Sequence, residues 1–140
     1  MWTVETPSGA LAVRPGCPAP APLRSSGIVT ACNPASRRLS REANHRADDA
    51  LRARIDRLGH PASRSLAHGT GEDAGAWDEP GWSLAGDVRD QVVRLGAEFG
   101  QNAVLWIDAA GEVTIVCTRD GFCGAKVGEV LRMEHGTRAS

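Results

Sequence analysis

Two segments of this chain repeat apolar residues at the spacing of an α-helix, and the rest of the fold has to be built around them. Ala47, Leu51, Ile55 and Leu58 recur three or four residues apart, which puts them on one helical face. Ser40 stands where an N-cap belongs, Glu42 lies in the first turn where the helix dipole favours an acid, and Gly59 with Pro61 ends the pattern. Val88, Val92, Leu95 and Phe99 make a second stripe over about 87–99, closed by Gly100. A helix with a single apolar face has to cover it with another layer, and the short β-branched runs elsewhere in the chain are suited to a sheet.

Those runs are Gly27 to Cys32, Ser63 to His68 more weakly, Gly81 to Ala85, Ala103 to Ile107 and Val113 to Thr118. The last two join through Asp108–Gly111 as a hairpin. Trp2 to Val4 and Leu11 to Val13 flank Pro7-Ser8-Gly9 as an N-terminal hairpin. PGCPAPAP, residues 15–22, is too rich in proline for a helix or an interior strand and reads as a connector. The order is a hairpin, then β-α-β-β-α-β, then one added strand. This predicts an α+β fold: a ferredoxin-like (split β-α-β) antiparallel sheet with two helices on one face, plus an N-terminal hairpin and an extra C-terminal strand. Residues 1–118 form a single domain in this reading. The tail, 119–140, carries Val127, Val130 and Leu131 and is expected to make one short helix or remain disordered.

Bulk properties narrow the class. The net charge of -1 gives no field to draw nucleic acid or an anionic membrane. No apolar run approaches the about 20 residues of a membrane span, and MWTVETPSGA lacks the features of a signal peptide. The expectation is a soluble, cytoplasmic, bacterial-type protein. Cys17, Cys32, Cys117 and Cys123 form no CxxC pair, so free thiols and no metal are expected. No P-loop, G-x-S-x-G or G-x-G-x-x-G is present, and no cofactor is implied.

The predicted topology gathers segments 33–44, 69–80 and 100–102 at one edge of the sheet. They hold most of the unusual polar residues: Asn33, Ser36, Asn44, Glu72, Asp73, Glu79, Gln101 and Asn102, with Trp77. Each has a structural reading beside a functional one. Asn33-Pro34 is good turn chemistry. Asn44, on the apolar side of the first helix, can staple that loop or reach a ligand. Gln101 and Asn102 can close the last carbonyls of the second helix or face a ligand. Trp77 can cap the core or stack on a ring. Glu72, Asp73 and Glu79 are either solvated loop acids or an acid–base set.

"TACNPASRRLSREAN", "GEDAGAWDEPGWSLAG" and "FGQNAVLW" resemble a bacterial family known as domain of unknown function 3293, in order and in spacing, over about Gly27 to Trp106. Cys32 and Gly81 depart from the family pattern, where an aromatic and a serine are common. The resemblance implies the segmentation above and supplies no reaction.

The leading expectation is a domain that binds a small polar ligand or a protein partner at this edge through Asn33, Asn44, Trp77, Glu79, Gln101 and Asn102. The alternatives are a nucleic-acid-associated module using the arginines from Arg37 to Arg57, and a hydrolase-like enzyme using Glu72, Asp73 and Glu79.

Overall fold

A computed structural model describes residues 1–68 and 78–131. Ten regular elements follow in order: β1 (Trp2–Thr6), β2 (Gly9–Val13), β3 (Ser26–Val29), α1 (Arg41–Leu58), β4 (Ala62–Ala67), β5 (Glu79–Ala85), α2 (Arg89–Glu98), β6 (Ala103–Ile107), β7 (Val113–Cys117) and β8 (Val130–Leu131). The strands form one eight-stranded sheet in the order β2-β1-β4-β5-β3-β6-β7-β8, and every neighbouring pair is antiparallel. The chain is therefore α+β, with two α-helices on a wholly antiparallel sheet. No helix among the described residues is long and apolar enough to cross a membrane.

The ends of α1 follow from its capping residues. Ser40 Oγ accepts the Ala43 N–H at 3.1 Å, and Gly59 takes a left-handed φ of 76° while its N–H returns to the last carbonyls of the helix. Leu51 and Ile55 are completely buried, Ala47 packs beside them, and Leu58 at the end of the stripe is exposed. Asp48 is also buried. Both its oxygens accept from the Arg64 guanidinium, at 3.0 and 2.8 Å, and that guanidinium stacks on Trp82 with its carbon 4.2 Å from the ring centre. α2 sits very close to the sheet. A Cβ on Gly27 would lie 2.7 Å from Val92 Cγ2, and one on Gly96 would lie 2.6 Å from Val104 Cγ1, so a side chain at either place would push the helix away.

Each face of the sheet carries its own core. One, under both helices, contains Val29, Leu51, Ile55, Leu84, Val92, Leu95, Val104 and Val116. The other contains Val4, Val13, Ile28, Leu105, Ile107 and Val113, from strands β1, β2, β3, β6 and β7. A flat sheet would hold β2 far from β7, so packing their side chains together requires strong curl. Trp2 of β1 and Leu131 of β8, near opposite ends of the strand order, accordingly line one cavity.

Two segments carry structure that their sequence does not announce. Residues 15–22 do more than connect: Ala19, with Leu23 just after it, is buried in the second core, and the Ala19 N–H donates to the Gly111 carbonyl at 2.8 Å. Proline fixes φ, which lets this extended stretch pack without a ladder of its own. After β7 the chain makes one short 3-10 turn at Phe122–Gly124 and then the two-residue strand β8, which pairs with β7. Gly121, Gly124 and Gly128 all hold positive φ, as does Cys123 at 50°, and such a run interrupts any helix.

Candidate functional site

The chain between β3 and α1 is held in an unusual conformation. Asn33, Ala35 and Ser36 have φ of 47°, 55° and 63°, in the left-handed region that L residues other than asparagine rarely occupy. Hydrogen bonds from other elements hold it there. The Ala35 N–H donates to the Gly100 carbonyl at 2.8 Å. Asn33 and Asn44 pair reciprocally: the Asn33 backbone N–H donates to Asn44 Oδ1, and Asn44 Nδ2 donates to Asn33 Oδ1, both at 2.9 Å. Asn33 Oδ1 also accepts the Leu39 N–H at 2.9 Å, so its remaining donor, Nδ2, points to Glu79 Oε2 at 2.8 Å. The acceptor bonds assign the orientation of the amide.

Gln101 and Asn102 join the same frame from the end of α2. Gln101 Nε2 donates to the Cys32 carbonyl at 3.1 Å, and the Gln101 backbone carbonyl accepts from Thr118 Oγ1 at 2.6 Å. Asn102 Nδ2 donates to Ser36 Oγ at 3.1 Å. The structure thus brings Asn33, Asn44, Glu79, Gln101 and Asn102 together. Glu72, Asp73 and Trp77 lie outside the described residues.

The frame has two sides. On one, Asn44 borders a polar pocket with Arg41, His45, Asp48 and Arg64. On the other, Asn33, Ser36, Glu79, Gln101 and Asn102 edge a cavity of about 500 Å3 sunk into the concave face of the sheet. Its walls are mostly apolar and include Trp2, Ile28, Leu105, Ile115, Phe122 and Leu131. Thr30, Ser65 and Gly81 also line it. A Cβ on Gly81 would lie 2.6 Å from the Val29 carbonyl oxygen and 3.0 Å from Ser65 Oγ, so glycine keeps this wall thin. Ser65 is 2% exposed, and its hydroxyl has no hydrogen-bond partner among the described residues. Most buried hydroxyls have one.

Burial pushes the Glu79 carboxyl above its ordinary 4.5, and the Asn33 hydrogen bond offsets part of that. The sign for stability follows. The folded protein holds this proton more tightly than the unfolded chain, so the stabilisation it gives is complete below the ordinary value. It is lost as pH rises through the raised one. Glu79→Gln is therefore expected to remove a decline in stability that begins near pH 4.5 and extends above it, leaving the variant relatively more stable at neutral pH. Urea midpoints measured across that range for both proteins check this. Parallel curves would contradict it.

The arginines of the first helix are largely engaged. Arg46 pairs with Glu42, Arg52 with Asp56, and Arg54 with Glu98 through two bonds at 2.8 and 3.0 Å. Arg52 also lies over Trp82, on the same ring as Arg64. The thiols of Cys32 and Cys117 are buried, and those of Cys17 and Cys123 exposed. All four are free. No cluster of three or more metal-ligating side chains occurs among the described residues.

Fold and site together define a class: a small α+β domain whose curled antiparallel sheet encloses an apolar cavity with an amide-and-carboxylate rim. The chain belongs to the family described as protein of unknown function (DUF3293), whose model matches residues 29–104. That span contains the whole Asn33–Asn44–Glu79–Gln101–Asn102 frame. Trp2, Ile115, Phe122 and Leu131, which wall the cavity, fall outside it. Comparison with curated proteins and with solved structures gave no match.

Proposed function

We propose that this domain binds a small molecule in the concave cavity, with an apolar body between Trp2, Ile28, Leu105 and Ile115 and a hydrogen-bonding end at the Asn33–Glu79 rim. One observation carries the reading: an apolar hollow of about 500 Å3 opens onto the polar frame that the chain holds in a left-handed loop. Ligand sites commonly have this size and this division between apolar wall and few polar groups. Backbone held in sparsely populated regions also clusters at such sites. The ion pairs along α1 favour this reading over the nucleic-acid one, because three of its five arginines, Arg46, Arg52 and Arg54, already have partners.

The reading extends to the scaffold. The order β6-β3-β5-β4, with α1 and α2 as crossovers over one core, supports a ferredoxin-like split β-α-β unit at the centre. The N-terminal hairpin and β7–β8 then extend it at either end, and it is these additions that curl over the free face to make the cavity.

Ala67 and Ala103 line the cavity with small side chains. Ala67→Phe and Ala103→Phe are expected to fill it. In a thermal-unfolding screen of ring-sized alcohols, amines and acids, compounds that raise the midpoint of the wild type should fail to do so for either filled variant. A ligand present at about 100 times its Kd adds about 2.7 kcal/mol, which such a screen reads easily. Equal stabilisation of wild type and both folded variants would overturn the reading.

A further inference from the structure

The charge pattern of the cavity narrows what it would hold, and this step rests on the cavity being the binding site. Among the described residues, those lining the cavity include no lysine, arginine or histidine, and the ionisable ones are Glu79 and Cys123. Glu79 is half-buried, and its one hydrogen bond among the described side chains comes from the neutral amide of Asn33, not from a cation. Arg64 stands nearby but is committed to Asp48 through two bonds and to the Trp82 ring. Asn33 fills its Oδ1 with the N–H groups of Leu39 and Asn44 and turns its Nδ2 to the carboxylate, so what it offers Glu79 is an uncharged hydrogen bond.

An apolar body entering this space strips water from Glu79. A neutral ligand returns at most an uncharged hydrogen bond for the water the carboxylate loses, and an anionic one adds like-charge repulsion. A ligand with its own cationic nitrogen supplies the missing partner, and the charge-assisted bond strengthens in the dry surroundings that the apolar walls create. Trp2 and Phe122 give the walls two aromatic surfaces suited to a ring.

We infer that the cavity selects small organic cations: a primary ammonium group paired with Glu79, carried on a ring-sized apolar body lodged between the walls of the curled sheet.

Three probes of one size and different charge test this on the full chain at neutral pH: 2-phenylethylamine, 2-phenylethanol and 3-phenylpropionate, each titrated by calorimetry against wild type and Glu79→Gln. The expected order in the wild type is amine first, tighter than the alcohol by about tenfold or more, with the carboxylate weakest. In Glu79→Gln the amine is expected to lose that advantage, while the alcohol changes by less than about threefold. The ranking within the wild type needs no variant, so it stands even if Glu79→Gln folds poorly. Amine and alcohol binding equally, or the carboxylate binding tightest, would overturn the cation inference and leave the cavity reading intact. Failure of all three to bind would overturn the cavity reading and the inference with it.

Discussion

Leu23→Ala is expected to lower the unfolding free energy by about 2–5 kcal/mol, the range for truncating a fully buried leucine in a packed core. The sequence gives no hint of such a cost, because Leu23 follows a proline-rich stretch that looks like a surface connector. In the folded chain it is only 4% exposed and belongs to the core of the concave face with Ile28, Ile107 and Val113. Chemical denaturation measures the effect directly. A loss below about 1 kcal/mol, as at surface sites, would mean that residues 15–23 merely lie against the sheet.

The second large effect is expected at Asn33. Asn33→Ala removes the side-chain partner of Glu79, Leu39 and Asn44 at once, and it puts a Cβ without a local hydrogen bond into the left-handed region. Stranded partners cost about 1–3 kcal/mol in buried surroundings, and left-handed backbone costs an ordinary residue about 1–2 kcal/mol. Because the site is half-buried, a total near 2–4 kcal/mol is expected. Asn33→Gly tolerates the backbone conformation and loses only the side chain, so it should recover about 1 kcal/mol of that loss. The pair separates the two contributions by urea denaturation. An alanine variant with the wild-type midpoint would show that the network does not hold the loop.

How much of this was legible in the residues depends on the range of the interaction involved. The bounds of α1 could be read because Ser40 and Gly59 act within one turn, and the β6 span Ala103–Ile107 because its apolar run is unbroken. The gathering of Asn33, Asn44, Glu79, Gln101 and Asn102 followed from element order alone, since topology fixes which loops share an edge. The cavity was not legible. It forms because Trp2, Ile115 and Leu131 approach one another through accumulated sheet curl, which no local pattern encodes. Asp48 was hidden for a similar reason: on the helix it looks like one more surface acid, and its burial depends on Arg64 arriving from β4. β8 is too short, at two residues, to stand out from a tail punctuated by glycines.

Ligand mapping by amide chemical shifts tests the central claim most directly, using 2-phenylethanol at saturating concentration so that charge plays no part. The account predicts perturbations at Ile28 and Thr30, at Ala67 on β4, and at Leu105 and Ile115 on β6 and β7, all lost in Ala103→Phe. Shifts confined to α1 and α2, or none at all, would contradict it.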